Sequence, residues 1–187
     1  MKKGIYQLML DTSFSSFKQI SPEEGSVVLP QLIHLLQDTV ASGASLGFLP
    51  PLHAEEAQQY WGTVFQDVMQ RHRVLLVACQ AGHIVGSVQL ALATNPNAQH
   101  RAEVQKLLVF SSHRRRGIGR ALMEMVEKIA RDAGRTLLML NTVEGEGVER
   151  LYRALGYVAV GVIPAYAQSA NGMLDTVIFY KTLPPLE

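Results

Sequence analysis

The stretch Val104–Arg120, VQKLLVFSSHRRRGIGR, constrains this chain more than any other. An apolar run ends in Ser111-Ser112-His113, passes through Arg114, Arg115 and Arg116, and reaches Gly117-Ile118-Gly119-Arg120, where a helical pattern begins at once. That order predicts a strand, a tight loop and a helix. Such a loop aims several backbone N–H groups at one point, at the positive end of a helix dipole, which makes it a receptor for a diphosphate. Gly117 and Gly119 keep side chains away where a ligand must approach closely. The arginines add charge that does not titrate away. Arginines alone read as a solvated basic turn; the flanking glycines and the strand-to-helix position favour the phosphate site.

Two common phosphate loops are excluded. A nucleoside-triphosphate loop ends in Gly-Lys-Ser/Thr, and neither Lys-Ser nor Lys-Thr follows these glycines. A dinucleotide fingerprint needs a third glycine where Leu122 stands. What remains, Arg114-x-x-Gly117-x-Gly119, resembles the Gln/Arg-x-x-Gly-x-Gly/Ala signature of the GNAT superfamily of N-acetyltransferases. In that superfamily the signature grips the pyrophosphate of acetyl-coenzyme A. The resemblance covers roughly residues 73–183, with Val104–Val109 as the strand before the loop and Thr136–Asn141 as the strand after its helix. Leu151-Tyr152-Arg153-Ala154-Leu155-Gly156-Tyr157 matches the late helix and turn. A narrower resemblance, in Gly43–Phe48 and Arg101–Leu107, is to the tabtoxin-resistance acetyltransferases, which acetylate the amino group of a small toxin.

The chain has 187 residues, 48% of them hydrophobic, which suits a single acetyltransferase domain over 1–187 with a substantial core. A net charge of +1 gives no basic face for nucleic acid. Cys79 lies in the apolar run Val74–Cys79, where it reads as a small core residue and fits a reducing compartment. The start, with Lys2-Lys3 and an apolar stretch interrupted by Asp11, is too short for a signal peptide, and no window is apolar enough to span a membrane. The expectation is a soluble cytoplasmic protein, a monomer or homodimer. The scattered histidines have no metal-ligand spacing.

Ile5–Leu10 reads as an opening strand. Ser21-Pro22-Glu23-Glu24 reads as a helix start, followed by a helix over Glu23–Ala41 that Pro30 should break or kink. A loop over Gly43–Leu52 and a helix over His53–Arg71 follow. Strands are predicted at Val74–Cys79, Ile84–Ala93, Arg101–Phe110, Thr136–Asn141, Tyr157–Pro164 and Leu174–Thr182. Helices are predicted over Gly117–Asp132, closed by Gly134, and Val148–Leu155. Strand, helix and strand around 101–141 form a right-handed crossover with parallel strands, whereas the hairpins elsewhere are antiparallel. The outcome is a mixed α/β sheet, matching the GNAT fold: six or seven mostly antiparallel strands, helices on both faces, and a splayed parallel pair.

Acetyl transfer from a thioester to an amine needs a neutral amine, a donor to the carbonyl oxygen and a proton for the leaving thiolate. Tyr152 is the candidate acid, because GNAT enzymes carry the tyrosine that protonates the thiolate at this place in the motif; Tyr157 reads as core. Glu103 is the candidate for deprotonating the amine. It lies six residues before Val109, so strict alternation would aim both side chains at one face; water chains replace a dedicated base in many relatives. Asn141 ends the strand after the phosphate helix, and its amide suits pantetheine or the acceptor amine. In the tabtoxin-resistance enzymes an aspartate stands there, so this chain has lost a negative charge. The resemblance further implies that the backbone of Leu107, Leu108 and Val109 holds pantetheine like an added strand, and that the Arg115–Arg120 amides cradle the pyrophosphate. Phe48 and Tyr166 are expected to wall the acceptor pocket.

Two other functions stay in view. A non-catalytic acyl-coenzyme A sensor would need the phosphate loop without the catalytic groups. Gly43-Ala44-Ser45-Leu46-Gly47 fits a hydrolase elbow, but a helix rather than a strand is expected before it.

Overall fold

The computed structural model describes residues 5–10 and 13–184, with side chains from residue 16; Lys2, Lys3 and Asp11 lie outside them. The strands are β1 (Ile5–Leu10), β2 (Ser13–Gln19), β3 (Arg73–Gln80), β4 (His83–Leu92), β5 (Arg101–Val109), β6 (Leu137–Val143), β7 (Val158–Ser169) and β8 (Gly172–Thr182). The helices are α1 (Gly25–Ala41), α2 (Ala54–Met69), α3 (Ile118–Asp132) and α4 (Val148–Ala154). The sheet order is β1-β2-β3-β4-β5-β6-β8-β7. β2–β8 form a seven-stranded mixed sheet, and β1, hairpinned onto β2, extends its edge to eight strands. β2 has no counterpart in the sequence reading: SFSSFKQ alternates too weakly to announce a strand.

Helices cover both faces, each over its own core. On one face α1 and α2 bury Leu32, Leu35, Leu36, Ala57, Trp61 and Val64 against Leu75, Val77 and Leu108. On the other, α3 and α4 bury Leu122, Val126, Tyr152 and Leu155 against Leu76, Val88, Leu90, Leu138 and Phe179. Apolar side chains thus point both ways from the central strands, which explains why β3 and β4 read as near-continuous apolar runs.

Pro30 does not break α1, which runs on to Ala41. Pro30 and Ser26, whose carbonyl loses its partner, are both exposed, so water can take the lost bond. The helix start is built as expected: the Ser21 N–H donates to the Glu24 carboxylate at 3.1 Å, ahead of a short 3-10 turn at Pro22–Glu24.

The parallel pair β5–β6 is joined over a short register only, Arg101 with Leu137, Ala102 with Leu138 and Glu103 with Met139. From Val104 onward the strands part. β5 stays paired with β4 to Val109, and β6 with β8 to Val143. The facing edges of β5 and β6 therefore carry unpaired main-chain groups along a widening gap.

Among the described residues no helix is long and apolar enough to cross a membrane, and no group of His, Cys, Asp or Glu could hold a metal ion.

Candidate active site

The loop between β5 and α3 has the geometry the sequence implies. Ser111–His113 make a 3-10 turn, and Arg115 (φ 63°) and Gly117 (φ 80°) then take left-handed conformations that swing the chain into α3. For Arg115 that region is unfavourable, and for Gly117 it is free, so the glycine there is a conformational requirement. Gly119 differs. A Cβ placed on it would meet Leu151 at 3.7 Å, Val109 at 3.8 Å and Leu107 at 3.9 Å, all ordinary contacts, so the protein itself would tolerate a side chain. The first helical bond runs from the Ala121 N–H to the Gly117 carbonyl, and no side chain caps the helix. The N–H groups of Ile118, Gly119 and Arg120 are therefore left for a ligand or water, at the positive end of the dipole.

α1 braces this loop. The Asp38 carboxylate accepts from the Ser111 backbone N–H at 2.7 Å and from the Ser111 hydroxyl at 2.8 Å. Arg114 turns back onto the protein: its Nε donates to the Val109 carbonyl at 3.2 Å and an Nη to the Ser42 hydroxyl at 2.5 Å. Arg115 and Arg116 are exposed, and Arg120 is exposed and paired with Glu124 at 3.0 Å. The arginines thus divide between a bracing role for Arg114 and an exposed rim of Arg115, Arg116 and Arg120, the last paired with Glu124. Neither Asp38 nor Ser42 stood out in the sequence, because a carboxylate on an amphipathic helix carries no sign of a loop more than seventy residues away.

β5 carries a bulge. Its register against β4 shifts between Ser87 and Gln89, and Lys106 has φ 48°. Upstream, Ala102 and Val104 face the α3 core. Downstream, Leu107 and Val109 face that same core and Leu108 the other. The inserted residue therefore breaks the period of two. Glu103 points to the α1–α2 face, opposite Val109, and the expectation that the two share a face is corrected.

Glu103 does lie where chemistry is possible. A cavity of about 330 Å³ opens where β5 and β6 part. Its lining includes Ala91, Glu103, Met139, Asn141, Tyr166 and Ile178. Glu103, Asn141 and Tyr166, distant in sequence, are thus brought together. Phe48 is not in that lining. It packs edge-on against Tyr60, with centroids 5.3 Å apart, and lies near Lys106.

Tyr152 projects from α4 on the opposite side of the sheet, packed against Tyr157 and Phe179, with ring centroids 5.9 Å apart in each case. Burial, with the Glu146 carboxylate adding to it, raises the phenol's pKa well above the usual tyrosine value. Tyr157 is buried as a core residue should be. Cys79 is half-buried, and burial pushes its thiol up, away from nucleophile behaviour. Ser45 sits in the α1–α2 connection with no strand before it, so the hydrolase elbow is absent.

Beneath the site runs a polar network that single-residue patterns do not reveal. An Arg73 Nη donates to Gln89 at 2.6 Å and to Gln105 at 2.7 Å, and Asp67 pairs with the guanidinium at 2.9 Å. Gln89 in turn donates to the Tyr60 hydroxyl at 2.8 Å. Burial lifts the Tyr60 pKa to about 12.

Residues 39–157 match the Acetyltransferase (GNAT) family. The chain is 36% identical over 87 residues to N-acetyltransferase 8 of Rattus norvegicus, 46% of this chain and 39% of that protein. It is 30% identical over 121 residues to N-acetyltransferase family 8 member 2 of the same organism, 64% of this chain and 53% of that protein. The chain therefore spans about half or less of the length of these curated relatives. Its fold superposes on an N-acetyltransferase from Staphylococcus aureus Mu50 with a TM-score of 0.76 at 16% identity, covering 91% of this chain and 99% of that one. It also superposes on an acetyltransferase from Salmonella typhimurium, solved with its cofactor acetyl-CoA, with a TM-score of 0.70 at 14% identity, covering 91% and 94%. At such identities the likeness concerns the fold alone. With the loop, the splayed strands and the family match in agreement, the chain belongs to the GNAT family of acetyltransferases.

Proposed function

We propose that this protein is an acetyl-coenzyme A-dependent N-acetyltransferase that acetylates the amino group of a small molecule, amino-acid-like or toxin-like, by direct attack in a ternary complex, with the chain acting as one catalytic domain. The observation that carries the reading is the uncapped start of α3 beside a strand edge left unpaired beyond Glu103. A diphosphate on the Ile118–Arg120 amides, rimmed by Arg115 and Arg116, would set a pantetheine arm along the Leu107–Val109 edge of β5. The space at Gly119, which the protein leaves open, fits that placement.

The thioester delivers the acetyl group; this chain's residues orient it and handle protons. Tyr152, kept protonated by burial, donates its phenolic proton to the departing thiolate from the α4 side of the gap. Glu103, with Asn141 and Tyr166 around the cavity on the other face, receives the acceptor amine and draws off its proton directly or through water. Asn141 offers an amide where a carboxylate would add charge, so Glu103 is the acidic side chain in the cavity lining. The likeness of 43–48 and 101–107 to the tabtoxin-resistance enzymes supports a small amino-bearing acceptor.

A thiol-release assay against a panel of amines tests this. Release with at least one amine supports catalysis. Coenzyme A binding with no release for any amine would instead favour a cofactor sensor.

A further inference from the structure

We propose that Lys106 is an anion-recognition residue of the acceptor site, so that the acceptor is amino-acid-like: its amine lies toward Glu103 and its carboxylate on the Lys106 ammonium. This rests on the acetyltransferase reading and names the substrate class within it.

The β5 bulge places two successive side chains, Gln105 and Lys106, on the α1–α2 face. The Gln105 side-chain oxygen accepts from Arg73. Lys106 reaches the Gly43–Leu52 loop, where its Nζ donates to the Leu46 carbonyl at 2.5 Å. The same nitrogen lies 5.8 Å from the ring centroids of both Phe48 and Tyr60. Rings at that distance stabilise a cation and keep water off it. An ammonium has three donors, and the Leu46 carbonyl takes one. Among the described residues Lys106 forms no salt bridge.

The other cation nearby, Arg73, is neutralised by Asp67. Lys106 is therefore a half-buried charge without a counter-charge in contact, a costly arrangement for a merely structural strut. A neutral glutamine would make the same carbonyl bond without that cost. Burial, followed by Arg73, lowers the lysine's pKa, and Glu103 opposes the shift, so an incoming anion would restore what burial removes.

Glu103 and Lys106 stand on the same face of β5, separated by roughly 10 Å of strand at most. Glu103 and Lys106 thus present opposite charges in the order a zwitterion requires. Lys106 and Phe48 both stand outside the lining of the Glu103 cavity, so the acceptor's carboxylate would extend beyond it along β5, with the Phe48 ring covering that end.

The test is calorimetric and does not depend on turnover. Protein saturated with coenzyme A is titrated with the proteinogenic amino acids and short dipeptides, each paired with its C-terminal carboxamide. At least one carboxylate should bind about 10–100-fold more tightly than its carboxamide, the usual worth of a hydrogen bond to a charged group. Lys106→Met should abolish that preference, and Lys106→Arg should retain most of it. Equal binding within every pair overturns the proposal, as does a panel in which no carboxylate binds, or a preference that survives in a folded Lys106→Met protein. Failure of the protein to bind coenzyme A at all would sink the acetyltransferase reading as well, which separates the two.

Discussion

Gly119→Ala separates a glycine needed by the fold from one needed by a ligand. In the protein alone the new methyl group would touch Leu151, Val109 and Leu107 at 3.7–3.9 Å, without overlap. Replacing glycine by alanine inside a helix gains up to about 1 kcal/mol. For a chain of this size that is a rise in Tm of about 0–4 °C. If the diphosphate approaches the Gly119 N–H, the same methyl displaces it and costs one charge-assisted hydrogen bond, about 1.5–3 kcal/mol or roughly 10–100-fold in Kd. Gly86→Ala is the control. There the Cβ would lie 2.9 Å from the Leu108 carbonyl, 3.2 Å from Leu122 and 3.3 Å from Ile118, and a backbone oxygen in a paired strand cannot step aside. Overpacking of this kind costs about 1–3 kcal/mol, a fall in Tm of roughly 2–12 °C. Differential scanning calorimetry and titration with coenzyme A read both quantities. An unchanged Kd in Gly119→Ala would refute the placement of the diphosphate on this turn, and a loss of stability as large as that of Gly86→Ala would refute the room left there by the fold.

Tyr152→Phe keeps the packing against Tyr157 and Phe179 and should lower turnover about 10²–10⁴-fold with little change in acetyl-coenzyme A KM, measured by thiol release. Asp38→Ala removes the acceptor that holds Ser111 at 2.7 and 2.8 Å; it should cost about 0.5–1.5 kcal/mol in urea unfolding and weaken coenzyme A binding several-fold. Tyr60 holds its proton to about pH 12 in the folded protein and to about 10 when unfolded. Between those values the unfolded chain binds fewer protons, so stability falls as pH rises through that window. Denaturant melts from pH 9 to 12 should show a shallower fall for Tyr60→Phe, and an identical slope would contradict this. Glu127→Ala strips the carboxylate 2.6 Å from Lys181 but leaves the lysine its bond to the Leu155 carbonyl, and should destabilise by about 1.5–3 kcal/mol in the same melts, the worth of a hydrogen bond between charged groups.

The turn from β5 into α3 is legible because its signals are local: an apolar run, two closely spaced glycines and a helical period follow one another within a few residues. The crossover and the hairpins were legible for the same reason. Strict alternation failed at Lys106, since a bulge needs only one extra residue and QKLLV reads as an ordinary strand. Phe48 is expected at the acceptor pocket from its loop position; its ring packs on Tyr60 outside the lining of the Glu103 cavity, because Lys106 holds the loop down. Pro30 was expected to interrupt α1, because sequence does not show whether the carbonyl it orphans faces solvent. The Arg73–Gln89–Gln105 network was invisible for a different reason. Each member is an unremarkable polar residue on its own strand, and only the pairing of β3, β4 and β5 joins them.

The bulge divides β5 into two halves with separate duties. Ahead of it, Glu103 lines the cavity; behind it, the main chain faces the gap. Because backbone amides are the same whatever residue bears them, the proposed function makes an exchange at Glu103 a change in the acceptor cavity that leaves the donor-facing main chain of Leu107–Val109 as it is. One strand could therefore keep its currency and change its customers.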